Sequence, residues 1–288
     1  MSKRRERSYR THSVVLKRRD HADADRLLTV FTPNDGKIEL LAKGARKTSS
    51  RKAGHLELFS HSSLLVAKSR TWDIITEATT VESFRHIREN LDNFGHAAYT
   101  CELIDCFTQA DDENKELWEL LLLALRWLDL NSAGHGMVRE NNFGGEKEVD
   151  EENTDNQATN NQGTFDVNLL MRWFELQLLA VNGFQPEFFR CLSSGEALKE
   201  ENNYLSIGEG GVYSPEFGQH REDVEVIAPD VLKILRHLQT NSWIDVYKLI
   251  IRPQTMLRIE NILYRLILVV LERQLKSVDF LRKLRRMK

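Results

Sequence analysis

Residues 26–52 read RLLTVFTPNDGKIELLAKGARKTSSRK, and they decide the fold of the N-terminal part. Two apolar, β-prone runs, Leu27 to Thr32 and Ile38 to Ala42, flank the breaker cluster Pro33, Asn34, Asp35 and Gly36. Pro presets φ, Asn and Asp hydrogen-bond their own backbone, and Gly tolerates positive φ, so this spacing predicts a hairpin. Directly behind its second strand come Lys43, Arg46, Lys47, Arg51 and Lys52, with no acid between Ala42 and Leu56. Such a loop cannot bury its charges and has no neighbouring acid in sequence to neutralise them. Its natural counterion is a polyanion, in the first place a nucleic-acid backbone. A solvated charged loop is the plain alternative.

Working outward, Tyr9 to Lys17, Arg26 to Thr32, Lys37 to Lys43, Leu56 to Ala67 and Asp73 to Thr80 read as five β-prone segments separated by turn-like or charged intervals. Five strands in this length suit a small closed barrel, either of the oligonucleotide-binding (OB) type or SH3-like. Trp72 falls at the tip between the last two strands. There an aromatic either packs in the core or stacks on a base.

The order of turn, Gly36-Lys37-Ile38, strand, Ala42-Lys43-Gly44-Ala45-Arg46-Lys47 and Ser50-Arg51 resembles the N-terminal domain of the RecO family, the recombination mediators of bacterial DNA repair. Val14-Val15-Leu16, Lys17-Arg18-Arg19-Asp20 and Ala24-Asp25-Arg26-Leu27-Leu28 are similar to that family's opening strands, so the likeness covers most of residues 12–80. It favours the OB barrel. It also implies binding to single- and double-stranded DNA, annealing of complementary strands and, with RecR, help for RecA in replacing single-strand DNA-binding protein. The nucleic-acid-binding residues expected are Lys17, Arg18, Arg19, Arg26, Lys43, Arg46, Lys47, Arg51, Lys52 and Trp72.

Charge segregates along the chain. The net −3 of the 288 residues hides 19 Lys or Arg against 10 Asp or Glu in residues 1–88, 4 against 17 in residues 89–162, and 17 against 16 thereafter. The polyanion signal therefore belongs to the N-terminal part. Cys101, Cys106 and Cys191 are too few and scattered for a disulfide framework, which points to a reduced cytoplasmic protein. The basic start lacks the apolar stretch of a signal peptide. The apolar run Ile262 to Leu271 is broken by Arg265 and falls short of the roughly 20 residues that span a bilayer, so no membrane association is expected.

From Ser83 the apolar period changes to about 3.6. Phe84, Ile87, Leu91 and Phe94 form one helical stripe, Leu117, Leu121, Leu125 and Leu128 another beside Trp118 and Trp127, and Leu169, Trp173, Leu176 and Ala180 a third. Pro229-Asp230 marks a helix start, and Asn261 to Arg286 one long or broken helix. The expected architecture is thus α+β and multidomain: a five-stranded OB-type barrel over residues 1–81, then an all-helical domain over 82–288. Residues 141–163, acidic at Glu146, Glu148, Asp150, Glu151, Glu152 and Asp155, hold too little apolar surface to order and read as a disordered, solvated insertion, the functional alternative being a DNA-mimicking acidic arm that competes for the basic loop.

The resemblance implies one further feature, a four-cysteine zinc site. Its frame survives over residues 183–218, but only Cys191 remains, with Ser194, Ser214 and Phe217 at the other ligand positions. Serine and phenylalanine do not replace thiolates, and His220 alone does not rebuild the set, so no zinc and no cofactor are expected. Phe184, Phe188, Phe189, Tyr204 and Tyr213 are the aromatic residues expected to hold the segment by packing. Gly208-Glu209-Gly210-Gly211 lacks the Lys and Ser/Thr of a phosphate loop and reads as a turn. Asp20, Asp23 and Asp25 lie among Arg18, Arg19 and Arg26, where charge compensation explains them better than a metal.

No nucleophile elbow or clustered metal carboxylates are visible, so the chain is expected not to be an enzyme. Lys276, Arg282, Lys283, Arg285, Arg286 and Lys288 either complement a helix C-terminus, make a second nucleic-acid contact or dock an acidic peptide. That matters because the family likeness implies binding to the acidic tail of single-strand DNA-binding protein. The reading from another class is an interaction adaptor whose basic loop docks acidic partners.

Overall fold

Val14, Val15 and Leu16 are all buried because β1 (Ser8–His21) separates two apolar cores. Side chains alternate across a strand, so Val15 points into the barrel while Val14 and Leu16 face the helices that follow. A computed structural model of the chain describes residues 7–133 and 165–286. The acidic segment 141–163 and Lys288 lie outside the described residues.

β2 (Asp25–Thr32) and β3 (Gly36–Ala42) form the expected hairpin, in register from Arg26 opposite Ala42 to Thr32 opposite Gly36. The turn is locked by Thr32, whose Oγ1 accepts from Asp35 N–H at 3.1 Å and donates to Gly36 O at 3.1 Å. β4 (His61–Ala67) pairs antiparallel with both β1 and β5 (Asp73–Glu82), and a short parallel contact between β3 and β5 closes the ring. The order β1-β2-β3-β5-β4 is a closed five-stranded barrel of OB type. Leu28, Val30, Leu40, Leu64, Val66 and Ile75 fill it.

Leu56 corrects the predicted fourth strand. The chain enters β4 only at His61, and the preceding 3₁₀ turn Ala53–His55 delivers Leu56, fully buried, into the barrel core. An apolar residue at the start of a β-prone run looks like strand in sequence. Here its burial comes from plugging the barrel.

The helices begin with α1 (Arg85–Glu89) and α2 (Leu91–Phe107). They are separate because Asn90 ends the first and caps the second, accepting from Asp92 N–H and Asn93 N–H. α3 (Lys115–Ser132) and α4 (Val167–Val181) follow, capped by Asn114 and Asp166. The second region is not all-helical, contrary to the sequence reading. β6 (Glu187–Cys191), β7 (Asn203–Ser206), β8 (Gly211–Tyr213), a turn of helix α5 (Pro215–Gly218) and β9 (Glu225–Ile227) form a four-stranded sheet in the order β6-β8-β7-β9. Strands of three to five residues show no measurable period, which is why they escape a pattern reading.

The chain closes with α6 (Pro229–Thr240), α7 (Trp243–Val246), α8 (Pro253–Leu271) and α9 (Lys276–Arg286). The last two are the broken form of the helix expected from residue 261. Pro253 at the first helical position starts α8 earlier, and Glu272, at φ 52°, ends it. Among the described residues no helix is long and apolar enough to cross a membrane.

Barrel and helices share a continuous core, in which Phe31 meets Trp118 and Phe59 meets Phe94. A polar chain reinforces it: Arg126 grips Glu82 with two bonds of 2.8 Å, and Glu82 also contacts His61 at 3.0 Å. Burial alone would raise the Glu82 carboxyl, but these bonds outweigh it and hold it down to about 2. At its tip the β2–β3 hairpin abuts the loop between α2 and α3, where Asp111 N–H donates to Lys37 O. Gly36 fits there at φ +60° because a Cβ would lie 2.0 Å from Asp112 O.

Candidate nucleic-acid interface

An open groove of about 1260 Å³ runs along the outer face of β1, β2 and β3. Its barrel wall includes Tyr9, Arg18, Arg19, Lys68 and Trp72, and its far wall is Asp105, Ala110 and Asp111 from the helical region. Trp72 lies in the β4–β5 loop, half-buried, with His21 at the end of β1 set edge-on at 5.1 Å. The β1–β2 and β4–β5 loops of an OB barrel, which frame its ligand face, are therefore in contact. Tyr9 OH donates to Asp73 Oδ2 at 3.2 Å, and burial followed by the Asp73 charge raises its phenol above the ordinary range.

The basic loop leaves β3 through Gly44, whose φ of +65° turns the chain back toward β1 and β2. Asp25 Oδ1 accepts from Gly44 N–H at 2.7 Å and Ala24 O from Arg46 N–H at 2.9 Å. The loop is thus anchored on the β1–β2 turn. His21, which packs on Trp72, ends the strand that enters that turn, so the loop and the groove share one support.

Three-dimensional pairing corrects the view that this loop lacks partners. Arg46 Nε lies 3.4 Å from Asp20, and Lys52 folds inward to donate to Ile75 O at 2.8 Å, where burial lowers its ammonium pKa. Arg18 and Arg26 both reach Glu57, Arg26 also lies 3.8 Å from Asp20, and Arg19 lies 3.9 Å from Glu39. Asp20 and Asp25 act as internal counterions and hydrogen-bond acceptors, as charge compensation requires. Lys17 pairs with Asp105 across the groove. What remains is Lys43, Lys47 and Arg51, all exposed and, among the described residues, held by no ion pair.

Of the expected residues, Lys17, Arg18, Arg19 and Trp72 line the groove, whereas Arg26, Lys43, Arg46, Lys47, Arg51 and Lys52 do not. The sequence reading missed Tyr9, Lys37, Lys68 and the exposed Arg70. The spacing Lys68-Ser69-Arg70-Thr71-Trp72 was the available signal, since interleaved cations and an aromatic suit a single strand.

The barrel followed by a helical region agrees with what sequence comparison finds. Residues 6–84 match the family described as Recombination protein O N terminal, and residues 88–138 and 158–279 match Recombination protein O C terminal. The chain belongs to the RecO family. It is 31% identical over 283 residues to the DNA repair protein RecO of Roseiflexus sp. (strain RS-1), covering 98% of this chain and 88% of that one. It is 28% identical over 278 residues to the DNA repair protein RecO of Dehalococcoides mccartyi, covering 96% of each.

The RecO likeness raises the question of zinc, and the residues present do not fit it. Cys191 Sγ accepts from Ser214 N–H at 3.4 Å and Ser214 Oγ at 3.6 Å, and Ser194 also hydrogen-bonds it, so three of the four ligand positions do lie together. Burial would raise this thiol, but hydrogen bonds from Ser194 and Ser214 bring it down to about 7. The fourth position, Phe217, is 40% exposed and has no donor atom. Among the described residues no group of three His, Cys, Asp or Glu side chains is placed to hold a metal ion.

Other contacts hold the sheet together. Phe188, Leu205, Val212 and Tyr213 are buried, while Phe184 and Phe189, expected inside, are exposed. Arg221 lies over Tyr213, 4.4 Å from the ring centre, and pairs with Glu209 and Asp223. Purified protein is accordingly expected to contain far less than one zinc per chain by elemental analysis, and a strong chelator is expected to leave the melting temperature unchanged. Stoichiometric zinc, or melting on chelation, would contradict the assignment.

Proposed function

We propose that this RecO-family DNA repair protein is a non-enzymatic mediator that binds single- and double-stranded DNA, anneals complementary strands and, with RecR, helps load RecA on DNA coated by single-strand DNA-binding protein. The observation that carries the DNA part is the trio Lys43, Lys47 and Arg51. They are exposed and unpaired on a loop whose backbone is fixed to the edge of an OB barrel. Phosphates supply the missing counterions, and each contact made releases cations from the DNA. Arg18, Arg19 and Trp72 extend the contact into the groove, Trp72 by stacking on a base. Arg26, Arg46 and Lys52 act as supports of the loop and its turn. In this reading residues 1–81 are the DNA-binding domain and residues 82–288 the helical domain, with a zinc-finger-like segment at 183–218 that has lost its metal.

The partner part rests on the far end of the molecule. α2, α4, α8 and α9 line a cavity of about 410 Å³ whose wall includes Arg282, Arg286 and Arg285, the last paired with Glu260, with Leu257, Tyr264 and Leu281 beside them. A short acidic peptide with an apolar end, such as the tail of single-strand DNA-binding protein, fits that mixture of charge and apolar wall.

The test is a salt-dependent titration with single- and double-stranded DNA, followed by an annealing assay on complementary strands. A log–log plot of affinity against salt is expected to be linear and steep, and annealing to outpace the spontaneous rate. A folded protein with no DNA binding at low salt, yet binding acidic peptides through the loop, would favour the adaptor reading instead.

A further inference from the structure

Lys17 and Lys37 both line the groove, and both are engaged by one carboxylate. Lys17 Nζ pairs with Asp105 Oδ2, while Lys37 Nζ donates to Asp105 O at 2.7 Å and lies 3.4 Å from Oδ1. We propose that Asp105 stands in for a DNA phosphate, withholding Lys17 and Lys37 from the nucleic acid and confining the phosphate contacts to the loop and the rim. This rests on the reading of the groove and loop as a DNA site.

The position of Asp105 argues for this role. It lies in the last turn of α2, where the helix macrodipole is negative and a carboxylate is disfavoured; that turn contains no basic residue of its own. The compensating charge comes from the barrel instead. A local rule broken without local compensation is expected where function demands it. Stapling the barrel to the helices does not require the pair, because the shared apolar core and the Glu82–Arg126 bridge already do so. Lys17 also keeps 52% of its side chain in solvent, whereas Asp105 keeps 14%, so the lysine is presented to the groove and the acid fixed behind it.

The experiment is a salt series of DNA-binding titrations on the full chain. Asp105→Asn frees Lys17, while Lys37 keeps its bond to the main-chain O of residue 105, and the salt slope on single strands is expected to steepen by up to about 0.7, equivalent to up to about 5-fold in affinity at 0.1 M salt. Asp111→Asn is the control, because it removes one charge from the same groove without releasing a lysine. Its φ of +59° suits asparagine, and its slope is expected to match the parent. Lys17→Gln leaves the domain contact largely in place through Lys37 and is expected to leave the parent slope unchanged. That variant keeps the idea testable should Asp105→Asn unfold. An Asp105→Asn slope equal to the parent, an equal steepening in Asp111→Asn, or a drop in slope with Lys17→Gln would each overturn the proposal while leaving the DNA reading intact. A parent protein that binds no DNA would remove both.

Discussion

Replacing Lys43, Lys47 and Arg51 together by glutamine is expected to flatten the salt slope on single-stranded DNA by about 2 and to weaken binding roughly 100-fold at 0.1 M salt. Each of the three contributes up to about 0.7 to the slope, and none is engaged elsewhere in the fold, so the loss should appear uniformly across sequences. Stability should hardly move, because exposed unpaired charges add little to folding. Arg46 and Lys52 are left alone deliberately. Their bonds to Asp20 and Ile75 O fix the loop, and removing them would mix a structural effect with a binding one. Fluorescence anisotropy from low to moderate salt measures both quantities. An unchanged slope in the folded triple variant would take the loop out of the site.

The barrel was legible because its signals are local. The breaker cluster Pro33 to Gly36 fixes a turn, and the alternation on either side fixes the two faces of a strand pair. Helices α3 and α4 were legible for the same reason, through the Leu117 to Leu128 and Leu169 to Ala180 stripes. The small sheet was not. Its strands are brief, and Gly211 is buried there because Leu192 packs where a side chain would stand, a contact that no pattern announces.

The site divides the same way. A run of cations without acids can be read from the chain, but which of them are spoken for cannot. Lys17 is neutralised by a residue 88 positions away, and Lys52 is bound to a carbonyl 23 positions away. Net charge therefore points to the loop as the proposed interface, whereas pairing narrows which of its cations are free to form it.

Gly36→Val is expected to destabilise the protein by at least about 3 kcal/mol, since a β-branched residue resists positive φ and its Cβ would overlap backbone rather than a movable side chain. No rotamer change relieves that overlap: Asp112 O, C and N would lie 2.0, 2.6 and 2.9 Å from the new atom. Relief requires the hairpin tip to retreat from the α2–α3 loop, breaking the Asp111 N–H bond to Lys37 O and shifting Lys37 away from Asp105. Gly44→Ala separates the two causes. Gly44 has a similar φ of +65°, yet the nearest atom to its Cβ would be Lys47 Cδ at 3.8 Å, so only the conformational strain of about 1 kcal/mol applies. Denaturant midpoints for the two variants give the comparison. Equal losses would mean that the hairpin tip is free to move and that the groove's far wall is not held by this contact. A much larger loss at Gly36, with DNA binding altered in whatever protein remains folded, would tie the barrel's position on the helices to the shape of the groove.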